Sequence, residues 1–364
     1  MMAMKRCRKC GSPIMLARSY KWPGDGTIVS RNDPASRMTI FEAGYYPHVW
    51  SELEERLGFP VAEVVLKSQR LAMRDYLESH IIYGWRKYAL KAMSIRPVIL
   101  RVIDQTSLFG FGRLEITEYR RHRMLMIRIR DPFDIISIVG GIRGIFETIE
   151  GLGSEMAWRR ENDDYIVTLV PRTGEDKGAD SMEALRALRE AKRNISGDPI
   201  PCERTMIEPC PSCGLPLGLS ELEWREDECI IHLRQRGIRY IMTTGYIFLG
   251  TIRELEKRSG QDLEPVILEI SRDYNRGILR GVPIRTRGGA YRAAAGYISV
   301  AGYGEVVRSS HGEGHLEMTI VNPYYPPRLV GRIAGLFEHV EGEEAKINYH
   351  SPEPQVLELE LTTT

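Results

Sequence analysis

The stretch "CRKCGSP" from Cys7 and the stretch "CPSCGLP" from Cys210 open two halves of the chain that repeat one another. Ile28 answers Ile231 and Arg31 answers Arg234, after which "EAGYYPHVWSELEERLG" runs alongside "TTGYIFLGTIRELEKRSG" with a short slip. The run "VVLKSQR" lies on "VILEISR", "GFGRLE" on "GYGEVV", "RDPF" on "VNPY", and "GGIRGIFETIEG" on "GRIAGLFEHVEG". Matches kept in the same order along both halves mark a tandem duplication. Duplicated interaction surfaces are self-complementary, so the two copies are expected to superpose and to pack by a pseudo-twofold rotation within the chain.

The pattern of apolar residues repeats with the letters. Leu125, Ile127 and Ile129 alternate, as do Leu316, Met318 and Ile320, which predicts strands with one buried face. Val139, Ile142, Ile145, Phe146 and Ile149 recur at helical spacing, matched by Val330, Ile333, Leu336, Phe337 and Val340, so each set predicts a core-facing helix. Gly140 and Gly144, with Gly331 and Gly335, fall on one side of those helices and predict close approach of a second backbone. Each unit then reads as a cysteine knuckle, a short strand pair, a helix from about Tyr45 or Tyr246, and a longer helix from about Val61 or Leu263. Strands, a glycine turn, two further strands around Gly112 or Gly304, the striped helix and two closing strands complete it. The expected class is α+β, two homologous domains each built as an antiparallel sheet covered by helices with a cysteine knuckle at its start. The boundaries fall at 1–172, a linker over 173–201 with a charged helix from Asp180 capped by Glu183, and 202–364.

Two thiolates fill half of a tetrahedral site. The missing half of the Cys210 and Cys213 site has two candidate sources. Cys7 and Cys10 can complete one all-thiolate site across the axis of the repeat, or Cys229 and His232 can complete a local ribbon. The first copy has Gly26 and Val29 where the second has Cys229 and His232, so the shared site alone uses the N-terminal pair and is the preferred reading, with structural zinc as the metal. A redox dithiol is the competing use of Cys-x-x-Cys, but that chemistry sits before a helix and here strands follow.

Composition limits the partners. Among 364 residues, 50 Lys and Arg nearly cancel 49 Asp and Glu, leaving a net charge of +1 and no global field for nucleic acid or a membrane surface. No apolar run is long enough to cross a bilayer, no apolar core follows the basic start, and four of six cysteines stand in Cys-x-x-Cys pairs, so the expected location is a reducing cytoplasm. Arg120, Arg121, Arg123, Arg128 and Arg130 concentrate on one strand pair, but the matching stretch carries Glu313, His315, Glu317 and Thr319; the arginines read as a solvated face or a protein contact. No nucleophile elbow, His-Glu-x-x-His helix or phosphate loop is present; Glu147 and Glu338 could serve as acid or base groups, and the preferred reading is surface capping or pairing.

The order of a Gly-aromatic-Gly turn, a strand, Asn-Pro or Asp-Pro, and a Gly-x-x-x-Gly helix running into Phe-Glu and a closing strand resembles the 4-vinyl reductase family of hydrocarbon-binding, small-ligand domains. The residues that carry the resemblance are Gly302, Gly304, Asn322, Pro323, Gly331, Gly335, Glu338 and Gly342, with Gly110, Gly112, Pro132, Gly140, Gly144, Glu147 and Gly151 in the first copy. It covers most of each half and not the linker. It implies an α+β domain that pairs with a second copy and holds an apolar or aromatic small molecule in an internal pocket, with a structural zinc nearby. This chain departs from the pattern in lacking a cysteine cluster near the closing strands, so its zinc ligands rest on spacing alone. Aromatic residues gather where the first long helices begin, and Tyr45, Tyr46, His48, Trp50, Tyr246 and Phe248 are the candidate ligand-binding residues, with His48 as the polar group that orients a ligand. Trp85, Phe109, Phe111, Tyr297 and Tyr303 add to the aromatic supply. The expected function is therefore binding or sensing of an apolar or aromatic small molecule. An enzyme or accessory factor acting on such a ligand, and a zinc-ribbon nucleic-acid or protein adaptor, are the alternatives.

Overall fold

The computed structural model describes residues 4–80, 106–172, 179–234 and 236–364, where the chain forms helices and antiparallel sheets. At its centre lies a six-stranded sheet. The first half supplies β1 (Tyr20–Lys21), β2 (Ile28–Ser30) and β3 (Arg37–Glu42), and the second half supplies β8 (Leu222–Arg225), β9 (Ile230–Leu233) and β10 (Arg239–Thr244). Their order is β1-β2-β3-β10-β9-β8, so the two halves meet where β3 pairs with β10, Ile40 opposite Met242 and Phe41 opposite Ile241. Every residue of β3 is buried, including the polar Arg37, Thr39 and Glu42, because β2 and β10 pair with it on both sides and other elements cover its faces.

Two four-stranded sheets flank this centre. One contains β4 (Arg113–Arg120), β5 (Met124–Arg130), β6 (Ser154–Glu161) and β7 (Asp164–Pro171), in the order β4-β5-β7-β6. The other contains β11 (Glu305–Gly312), β12 (His315–Val321), β13 (Ala345–Glu353) and β14 (Val356–Thr363), connected in the same way as β11-β12-β14-β13. Leu125, Ile127 and Ile129, and likewise Leu316, Met318 and Ile320, are buried, as their alternation predicts.

Helices among the described residues include α1 (Ile14–Ser19), α2 (Tyr45–Leu57), α3 (Ala62–His80), α4 (Ile135–Glu150), α5 (Ala179–Ser196), α6 (Gly245–Ser259), α7 (Glu264–Leu279), α8 (Arg287–Val300) and α9 (Pro326–Glu341). The strands expected after the longer helix are corrected in the second half, where α8 stands instead. Thr286 caps α8 by accepting from the Gly289 N–H, and the run Ala293, Ala294 and Ala295 favours helix strongly enough to carry the glycines around it. The matching stretch of the first half, with Trp85, lies outside the described residues. The charged helix begins at Ala179, one residue before the expected cap, and packs on α6 and α3 through Leu188 and Ala191 rather than running free between the halves.

Close helix pairing explains the paired glycines. A Cβ on Gly331 would lie 2.1 Å from the Leu268 carbonyl oxygen, and one on Gly335 would lie 2.4 Å from that of Arg272, so α9 rides directly on the backbone of α7. Gly140 and Gly144 bring α4 onto α3 in the same way, with Cβ positions 2.7 Å from the Leu66 and 2.4 Å from the Arg70 carbonyl oxygens. Gly331→Ala should therefore cost about 3 kcal/mol, at the upper end for overpacking, because backbone rather than a movable side chain blocks the methyl. Denaturant unfolding monitored by circular dichroism checks this; a loss under about 0.5 kcal/mol, the range of a neutral surface substitution, would show that the helices separate freely.

The halves are joined by hydrogen bonds that come in matched sets. Trp22 Nε1 donates to the Val300 carbonyl at 2.9 Å and Trp224 Nε1 to that of Leu108 at 3.1 Å. Gly304 N donates to Gly26 O, and Gly112 N to Cys229 O, both at 3.0 Å. A guanidinium N–H of Arg37 reaches Gly302 O at 3.0 Å and one of Arg239 reaches Gly110 O at 2.9 Å. In each set the N-terminal part of one half holds the glycine turn of the other. Helix α2 correspondingly packs on α7, and α6 on α3. Among the described residues no helix is long and apolar enough to cross a membrane.

Candidate metal centre and the cavity at the seam

Each Cys-x-x-Cys is shaped by a backbone turn before any metal is considered. Gly11 N donates to Cys7 O at 2.9 Å and Cys7 N to Ser12 O at 2.9 Å; Gly214 N donates to Cys210 O at 2.8 Å and Cys210 N to Leu215 O at 2.7 Å. Gly11 and Gly214 sit at φ +74° and +76°, left-handed conformations that a residue with a Cβ adopts at a cost. These turns aim both sulfurs of a pair to one side. The two knuckles face each other, with Cys7 Sγ 3.8 Å from Cys210 Sγ and Cys10 Sγ 3.5 Å from Cys213 Sγ. All four sulfurs lie within 4.8 Å of one another. Four thiolates at about 2.3 Å from a tetrahedral ion stand about 3.8 Å apart, so the cluster has the dimensions of a filled four-sulfur site and could hold a metal ion.

The surroundings suit thiolates as well as geometry does. Backbone N–H groups of Cys10 and Lys9 hold the Cys7 thiol well below its ordinary pKa, and those of Ser212 and Cys213 do the same for Cys210. Burial pushes Cys213 up instead. Four thiols so close cannot all ionise without a cation among them, and a bound divalent ion removes that conflict. Cys229 and His232 are not part of the cluster. Cys229 donates its thiol to the Glu226 carbonyl at 3.4 Å, and His232 lies in β9 opposite Arg239 of β10, its Nδ1 without a hydrogen-bond partner. Replacing both by Ser and Ala should leave metal content unchanged; elemental analysis that found the metal gone would reinstate the local ribbon.

The candidate ligand-binding aromatics part company. Phe41 of β3, which the sequence reading passed over, is the hub, with the rings of Tyr45, Tyr46, Phe248, Tyr303 and Tyr324 at 5.4 to 6.5 Å around it. The Trp50 ring lies 5.5 Å from that of Phe248, tilted by 34°. Tyr45, Tyr46, Trp50 and Phe248 thus pack on one another as core, each of them buried. Tyr246 stands apart, buried beneath α5 with Lys192 over its ring. His48 is half-buried, its ring 5.2 Å from that of Tyr274.

A small cavity does open beside this core, at the seam of the two halves. Its walls are Glu42 and Tyr45 from the first half and Ser271, Tyr274, Asn275, Arg328 and Arg332 from the second, and it encloses about 10 Å³, room for one water-sized atom. Arg328 is 2% exposed and lies over the rings of Phe41, Tyr45 and Tyr303 at 4.0, 4.3 and 4.8 Å. Glu42, fully buried, accepts from Arg332 at 2.5 Å and from Arg328 at 3.4 Å. Burial works against the Glu42 carboxylate, but Arg332 and Arg328 outweigh it and hold the group below its ordinary pKa. The sequence reading missed this group. The available signal was a glutamate directly after "MTIF" and two arginines one helical turn apart beside an apolar stripe.

Glu147 and Glu338 are corrected from surface groups to buried ones. Glu147 accepts from Arg70 at 2.5 Å, Arg143 at 3.0 Å and Ser154, and Glu338 lies 3.5 Å from Arg276 and accepts from the Ala345 N–H. Both tie the striped helix to its neighbours, a structural use of the charge. Arg120, Arg121 and Arg123 are exposed. Searches of family models, curated proteins and solved structures find no match to this chain.

Proposed function

We propose that this protein binds a small molecule at the seam of two duplicated α+β units, paired within one chain about a pseudo-twofold axis and clasped by one structural zinc at Cys7, Cys10, Cys210 and Cys213. The matched hydrogen bonds and the same order of strands in the two flanking sheets support duplication and pairing. The four-sulfur cluster supports the clasp.

The observation that carries the binding reading is the cavity walled by residues of both halves, with ionised groups held against aromatic rings where hydrophobic packing alone would suffice. A ligand there touches both units at once, so pairing and binding become one property. The apolar or aromatic part of the ligand implied by the family resemblance would lie outside the cavity, against the half-buried rings of Tyr274 and His48. Native mass spectrometry of protein purified without added ligand tests the reading. Retention of one small molecule per chain is the expected result, and an empty protein that also fails to take up any member of a small-molecule library would overturn it. Turnover of the retained molecule would instead make the protein an enzyme.

A further inference from the structure

The repeat supplies an internal control for the buried charges. Aligning the halves on Gly331 and Gly140 places Ser137 and Gly141 where Arg328 and Arg332 stand, and Thr243 where Glu42 stands. Aligning "VILEISR" on "VVLKSQR" places Gln69, Ala72 and Met73 opposite Ser271, Tyr274 and Asn275. On that side the helix starts with Asp134 capping Ser137, and Met73 lies beside Gly141. Among the described residues helix α4 therefore packs on α3 without an ion pair at that place, so the same glycine-mediated helix pairing forms there without counterparts of Glu42, Arg328 and Arg332.

The charges on the occupied side are also unbalanced. Two guanidiniums share one carboxylate, and all three are removed from water apart from the Arg332 side chain, which is 18% exposed. A buried cation without a counter-charge is strongly unfavourable unless an anion reaches it. Hydrogen-bonding capacity is left over as well. Arg328 Nε is buried without a partner, and the half-buried Tyr274 makes no hydrogen bond through its hydroxyl among the described residues. Both residues line the cavity.

We propose that the cavity binds the carboxylate group of a small organic acid, one per chain, between Arg328, Arg332 and Tyr274. The proposal deepens the small-molecule reading and rests on it. A single negative charge neutralises the excess, a planar carboxylate suits guanidinium N–H groups, and the free space admits no group much larger than one carboxylate oxygen inside the wall. The rest of the acid would lie toward the exposed edge of Arg332 and the ring of His48. The side that carries Thr243, Ser137 and Gly141 binds no anion.

The test uses the full metal-loaded chain in chloride-free buffer, with formate and acetate as probes and acetamide as the uncharged match, followed by saturation-transfer NMR and thermal shift. Formate and acetate should bind saturably at one site and acetamide should not. Arg332→Gln should weaken acetate at least tenfold, whereas Glu42→Gln, which removes the competing internal carboxylate, should tighten it at least tenfold. A variant that merely loosened the fold would weaken binding in both cases. Binding of acetamide equal to acetate, tighter binding of chloride than of formate, or an unchanged affinity in both variants overturns the assignment. The outcome is separable from the broader reading, because a neutral molecule retained in native mass spectrometry would leave small-molecule binding intact while removing the carboxylate.

Discussion

Serine at Cys7 and Cys10 should release the metal as completely as serine at Cys210 and Cys213, although the two pairs lie at opposite ends of the first half of the chain and the linker. Elemental analysis of the native protein should give about one zinc per chain, the value for a single four-thiolate site. The expected effect is large because the cluster spans residues 203 apart in sequence. Metal binding to such a site carries an apparent free energy of about 10 kcal/mol or more at neutral pH, and here it would count toward docking of the knuckles on each other as well as toward their turns. Chelation should therefore lower the unfolding temperature and raise hydrogen exchange at Cys7 to Leu16 and at Cys210 to Leu219 together. Metal retained in the Cys7 and Cys10 variant would disprove the shared site, and a protein purified without chelator that holds no metal would disprove metal binding altogether.

Neither half should fold alone as a monomer. A chain of residues 1–172 would keep β3 as an open edge in place of its pairing with β10, from Met38 opposite Thr244 to Glu42 opposite Tyr240. It would also leave the Trp22 and Arg37 donors without the carbonyls of Val300 and Gly302, and expose Phe41 on the face that Tyr303, Tyr324 and Phe248 now cover. An unpaired strand edge beside a bare aromatic face pairs with whatever it meets, so the expected products are aggregates or a dimer that imitates the full chain. Mixed with residues 179–364, the fragment should recover a single species with the near-ultraviolet circular dichroism of the intact protein. A soluble, cooperatively unfolding monomer of either fragment would show that the exchanged contacts are dispensable.

Much of this structure was legible before any coordinates because its signals are local. Strand periodicity at Leu125, Ile127 and Ile129 depends on residues two apart, and the glycine spacing of Gly331 and Gly335 on one turn of helix; both appear where their spacing places them. Helices begin at Tyr45, Ala62, Gly245 and Glu264, close to where the periodicity starts them. Local signals also misled. Strands and a glycine turn are expected after the longer helix, yet a Thr286 cap and an alanine run make a helix over Arg287–Val300.

The sequence by itself determined the alternation of strands and helices, the glycine contacts between helices and the knuckle turns that present two sulfurs each, since all of these follow from spacing within a few residues. Only the tertiary structure decided which sulfurs meet. Cys229 and His232 are nearer to Cys213 in sequence, but β9 carries them away while the opposing knuckle turns bring Cys7 and Cys10 to the same point. It also decided that Tyr45, Tyr46, Trp50 and Phe248 would pack against Phe41, and that Tyr246 would lie elsewhere. Glu42, Arg328 and Arg332 are the clearest case. They stand in different halves and become one buried group only when β3 is covered by α9, an encounter governed by the packing of distant surfaces, which residue spacing does not encode.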